Sequence, residues 1–179
     1  MNSAFVSKFH APACEAIEFC TVPVDIVIQA SDGTLLGTHM KNLEVFNSGF
    51  PYGVPVTHEF QDTIKLAEDS ETLRLLLKFS HNEDYGEVEK LGLDKIIRLM
   101  EAADKYGNCF ALCACKVAMN RIAKKSSEHA VRVIPYKVRY RDYYDMDPIV
   151  ESTMNVPLAD VIVSMRHFPR VYLVYVSIS

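Results

Sequence analysis

The chain has 179 residues, of which 49% are hydrophobic and 23% charged, and 19 Lys and Arg against 23 Asp and Glu leave a formal net charge of −4. A chain of this length buries roughly 70% of its unfolded surface, so it folds as one ordinary domain, or one with an extension, without needing metal or disulfides. The acidic balance argues against nucleic acid as a main ligand, because phosphate binding calls for a clustered basic stripe, and the densest one here is Arg132, Lys137, Arg139 and Arg141.

No run of ~18 apolar residues could span a membrane. The first twenty residues, MNSAFVSKFHAPACEAIEFC, lack the continuous apolar core of a secretory signal. The five cysteines, Cys14, Cys20, Cys109, Cys113 and Cys115, are an odd number in a chain without that signal. The expectation is a reducing compartment, cytoplasmic and/or nuclear.

In chain order, Val22 to Ala30 (VPVDIVIQA) is apolar and β-branched, Ser31-Asp32-Gly33 is a turn, and Thr34 to Thr38 resumes the pattern. This predicts a β-hairpin. Leu43 and Phe46, three apart, suit a short helix closed by Asn47-Ser48-Gly49, and Gly49 to Asp62 is a Pro- and Gly-bearing loop. Thr63 to Leu66 is short enough for one more strand. Asp69 or Ser70 can start a helix whose apolar stripe is Leu73, Leu76 and Leu77. Leu93, Ile96, Ile97 and Met100 repeat that spacing as far as Lys105. Asn108 can cap the next helix, with Leu112, Cys115, Met119 and Ile122 facing inward. Beyond Lys124-Lys125-Ser126-Ser127 the helical pattern continues, and Pro135 would kink or restart it. Further short helices are predicted at 146–153 and 156–165. The last window, Arg170 to Ser179 (RVYLVYVSIS), favours a strand. Strands first and helices after, without βαβ alternation, indicate an α+β fold.

Few residues suggest chemistry. His39 sits between a strand and a helix, where a site could form. A buried histidine bonding to nearby backbone is the preferred reading, because no second His or Cys falls at ligand spacing nearby. Cys109, Cys113 and Cys115 form C-x3-C-x-C, but on a helix Cys115 points about 160° away from Cys113, so core packing is preferred over a metal site. No nucleophile elbow, phosphate loop or H-E-x-x-H occurs. The expectation is therefore no enzyme, no metal and no cofactor. The Tyr-rich stretch Tyr136, Tyr140, Tyr143 and Tyr144 has the composition of a contact surface, although aromatics at helical spacing more often pack in a core.

The residues Asp25-Ile26-Val27-Ile28, Ser31-Asp32-Gly33-Thr34, His39, Leu43 and Asn47-Ser48-Gly49-Phe50-Pro51, followed by Ile64 to Ser70 and Leu99-Met100-Glu101-Ala102-Ala103-Asp104-Lys105-Tyr106, resemble a BTB/POZ domain in order and spacing. The finer pattern, THMKNLEVFNSGFP and KFSHNEDYGEVEKL, is similar to BTB proteins of mushroom-forming fungi. The similarity spans roughly 22–122. Met40 departs from it, standing where the family often has a basic residue beside a charged pocket that includes the position of Asp25.

The resemblance implies a small β-sheet packed against a cluster of α-helices at 22–125 and a helical extension at 126–169; the apolar tail at 170–179 falls outside the resemblance and is unassigned. It implies a non-catalytic protein–protein interaction module that homodimerises. The alternatives are a substrate adaptor that meets a cullin scaffold in a ubiquitin ligase, or a small cysteine-dependent enzyme or metal protein. Membranes are not expected as partners. Partner-binding residues implied in this way are Phe19, Asp25, His39, Leu43, Phe46, Phe50 and Tyr52, the last two in a loop that would expose its apolar side chains.

Overall fold

The structure, a computed structural model, describes residues 13–14, 16–50, 63–81 and 88–178. The described residues are α+β: a three-stranded sheet and eight α-helices, with 58% of these residues helical. No helix among the described residues is long and apolar enough to cross a membrane.

Strands β1 (Ile26–Gln29) and β2 (Leu35–Thr38) form the expected hairpin, antiparallel, with Gln29 opposite Leu35 and Ile26 opposite Thr38. Gly33, at φ +84°, supplies the left-handed turn residue that the hairpin needs. Strand β3 (Ile64–Lys65) lies parallel to β1 on its other side, giving the order β2-β1-β3. That leaves β2 at an edge, where Cys14 makes an isolated parallel bridge to Gly37.

Between β2 and β3, helix α1 (Met40–Phe46) buries Leu43. Helix α2 (Ser70–Lys78) starts at Asp69, whose carboxylate accepts from the Thr72 N–H at 2.7 Å, and it buries Leu73, Leu76 and Leu77 as the spacing predicts. Asp32 accepts from the N–H groups of Thr34 and Ser70, joining the hairpin turn to the start of α2. These bonds hold its carboxyl well below the usual carboxylate range.

After a 3-10 turn at Val88–Lys90 come α3 (Leu93–Tyr106) and α4 (Cys109–Ala123). Asn108 caps α4 by accepting from the Ala111 N–H at 2.9 Å. Cys115, Met119 and Ile122 are buried as expected, whereas Leu112 is only half-buried. Cys109 and Cys113 are exposed, so core packing accounts for Cys115 and not for its two neighbours.

Helix α5 (Ser127–Arg139) does not restart at Pro135. Helices α6 (Met146–Glu151), α7 (Leu158–Met165) and α8 (Pro169–Ile178) complete the chain. The strand expected at 170–179 is thus corrected to a helix. Pro169 occupies the first helical position, where its missing N–H costs nothing. The buried hydroxyl of Tyr175 donates to Thr153, with 2.8 Å to Oγ1 and 3.0 Å to the carbonyl. Such tertiary anchoring overrides the β propensity of the window.

The chain divides into two compact units, 1–85 with 98–112, and 86–97 with 113–179. The boundary placed on the sequence at 125 falls inside the second unit.

Candidate metal centre

Four potential ligands of the first unit converge: Cys14, Cys20, His39 and His81, with their donor atoms all within 4.8 Å of one another. Each arrives by a different local route. Cys14 is set against the sheet edge by its bridge to Gly37 in β2. Ala16, next in the same segment, is buried, which fastens the chain between the two cysteines. Phe19 adopts a left-handed backbone (φ +58°), and this bend precedes Cys20. His39 stands between β2 and α1, and His81 lies just beyond α2, where the chain turns through bonds from Ser80 N–H to Leu77 O and from His81 N–H to Lys78 O.

The two histidines are oriented alike. Nδ1 of His39 lies 2.9 Å from the carbonyl oxygen of Pro23, and Nδ1 of His81 lies 2.7 Å from that of Leu77. A carbonyl can only accept, so each Nδ1 carries the proton and each Nε2 is left with its lone pair. Those lone pairs face sulfur: His81 Nε2 is 3.3 Å from Cys14 Sγ, and His39 Nε2 is 3.2 Å from Cys20 Sγ. The rings meet edge-on, with centroids 5.3 Å apart. Both histidines are buried and both cysteines half-buried. Burial raises the Cys14 thiol above its ordinary pKa, the Cys20 sulfur adds to the rise, and the Ala16 and Ile17 N–H groups oppose it. A thiol in this position can donate to Nε2, and a thiolate there can ligate a cation.

A polar network supports the His81 side. Asn47 Nδ2 donates to Ser80 Oγ at 2.8 Å and to the Leu43 carbonyl at 3.3 Å, while Asn108 Nδ2 donates to Asn47 Oδ1 at 3.0 Å. The ends of α1 and α2 and the start of α4 are thereby tied together beside the cluster.

The residues expected to bind a partner are scattered. Leu43 is a core residue at 1% exposure, Phe50 is buried with its ring 5.2 Å from that of Tyr106, and His39 belongs to the buried cluster. The side chains of all three are buried within the chain. Phe50 turns inward because the Gly49 N–H is drawn to the Tyr106 carbonyl at 2.9 Å, at the end of α3. Asp25 is exposed, and its carboxylate accepts from the Met40 N–H at the start of α1. Phe19 is 94% exposed. Phe46 is half-buried, edge-on to the exposed ring of Phe110 at 5.9 Å. Tyr52 lies outside the described residues.

Sequence reasoning missed Cys14, Cys20 and His81 as companions of His39. The only local signal was a pair of cysteines shortly before the first strand. Comparison with family models, with curated proteins and with solved structures returned no match for the chain.

Proposed function

We propose that the chain is a non-catalytic protein–protein interaction module of the BTB/POZ type, and that its partner is a second copy of itself. The order of elements supports this reading: a hairpin, a short helix, one more strand, then a helical cluster. The observation that carries it is the apolar surface shared by α1 and the start of α4. There Phe110 is 57% exposed and stacks edge-on with Phe46, and Val45, the residue before Phe46 in α1, is also exposed. Exposed aromatics of this kind are enriched at interface centres. A two-fold interface repeats every contact, so each copy needs to contribute only about 800 Å².

Light scattering behind size exclusion, across a dilution series, tests the proposal. The full chain is expected at twice its chain mass, and Phe110→Asp is expected to shift it to the single-chain mass at the same concentrations. A single-chain mass for the unmodified protein at every concentration would overturn the self-association reading.

A further inference from the structure

We propose that Cys14, Cys20, His39 and His81 bind one Zn²⁺ as a closed structural Cys₂His₂ centre that fastens the stretch bearing the two cysteines to the rest of the first unit.

The donor set has the right number and kind. Two sulfurs and two imidazole nitrogens suit tetrahedral Zn²⁺, and four protein ligands leave no open position for a substrate. With Zn–S near 2.3 Å and Zn–N near 2.0–2.1 Å, a tetrahedron has donor–donor edges of about 3.3–3.8 Å. The S···N edge of that tetrahedron is about 3.5 Å; the two S···N separations, 3.2 and 3.3 Å, are a few tenths of an ångström shorter, and every other pair is within 4.8 Å. Small side-chain adjustments therefore complete the site.

The histidines are already prepared. A zinc-ligating imidazole usually donates its other N–H to a carbonyl or carboxylate, which fixes both tautomer and ring orientation. Pro23 and Leu77 supply those carbonyls, and both Nε2 atoms face the sulfurs. The charge also balances. On binding, each thiol releases its proton to solvent, and two thiolates with two neutral imidazoles around Zn²⁺ make a neutral centre, which a partly buried location tolerates. No oxidant or reductant is involved.

Such a centre would join positions far apart in the chain: Cys14 and His81 are separated by 67 residues, Cys20 and His39 by 19. Among the described residues of this stretch, Cys14 bridges Gly37 at the sheet edge, and the ion would add side-chain anchorage at both cysteines. Zinc binding is then folding free energy for this segment. The proposal does not depend on self-association.

The test is the metal content of the full-length protein, grown with zinc and purified without chelator. One zinc per chain is expected. Cys14→Ser and His81→Ala should each reduce this to traces, while Cys109→Ser and Cys113→Ser should retain it. Because a ligand variant can fail to fold, the unmodified chain, stripped by chelator, is also titrated with Co²⁺. Intense tetrahedral ligand-field bands with thiolate-to-cobalt charge transfer, bleached by one equivalent of Zn²⁺, are expected. A weak octahedral spectrum, a different resident metal, or a zinc-free protein carrying a Cys14–Cys20 disulfide would overturn the proposal.

Discussion

Asn47 donates through Nδ2 to the hydroxyl oxygen of Ser80 at 2.8 Å, and both side chains are wholly buried. Asn47 also accepts from Asn108, so one amide serves three helix ends. Truncating it strands a buried amide and removes the donor to Ser80. Asn47→Ala is expected to cost about 1–3 kcal/mol. Urea denaturation checks this, with a lowered midpoint at unchanged slope as the expected result.

Gly107 ends α3 at φ +67°, and an added Cβ would come within 2.9 Å of the Gly49 nitrogen and against the Ser48 side chain. This close passage lets the Ser48 and Gly49 N–H groups reach the Gly107 and Tyr106 carbonyls. Gly107→Ala combines backbone strain with a clash and should destabilise by more than about 1 kcal/mol. Thermal unfolding reads it directly; an unchanged Tm would contradict the account of this turn.

Lys137 is 1% exposed, yet it donates to Asp142 at 3.1 Å, to the Tyr144 carbonyl at 2.8 Å and to Asn120 Oδ1. Part of the basic stretch read from the sequence is therefore spent inside the second unit. Removing the ammonium leaves a largely buried carboxylate without its partner. Lys137→Ala should cost about 3–5 kcal/mol. Measured beside it, Arg139→Ala on the exposed face, where the guanidinium lies 5.4 Å from the Tyr140 ring centroid, should cost about 1 kcal/mol or less.

Glu68 accepts from Lys105 Nζ at 2.7 Å and from the Tyr106 hydroxyl at 2.5 Å. Burial alone would raise the Glu68 carboxyl, but these two bonds, together with a backbone hydrogen bond and the Lys105 charge, outweigh it and hold it below its ordinary value. Its contribution is present above the ordinary carboxylate range and is lost as pH falls through the lower folded value. Burial first, and the Glu68 bond second, push Tyr106 up to about 12 from an ordinary 10.0. That contribution is complete below pH 10.0 and is lost as pH rises toward about 12. Melting temperature against pH should thus fall at both ends. Glu68→Gln should flatten the acid limb and weaken the alkaline one, where burial of Tyr106 persists.

Much of the first unit was legible because its signals are local. The Ser31-Asp32-Gly33 turn fixes the hairpin, and the spacing of Leu73, Leu76 and Leu77 fixes the buried face of α2. The C-terminal window misled because RVYLVYVSIS is strand-like on its own, whereas its helix is held by tertiary contacts such as that of Tyr175 with Thr153. The candidate site was the least legible part. Ligands 67 and 19 residues apart are brought together by the sheet edge and by the turn after α2, and no local spacing encodes that. Leu43 was named because the resemblance puts a dimer patch on the first helix, and Phe50 because its loop would expose apolar side chains, whereas the burial of both depends on the path of the chain around α1.

X-ray absorption at the zinc edge of the purified chain reads directly whether Cys14, Cys20, His39 and His81, from separate stretches of chain, enclose one zinc ion. The account predicts two sulfur scatterers near 2.3 Å and two nitrogen scatterers near 2.0–2.1 Å, with the outer-shell pattern of imidazole. A first shell of light atoms only, or zinc at far below one per chain, would contradict it.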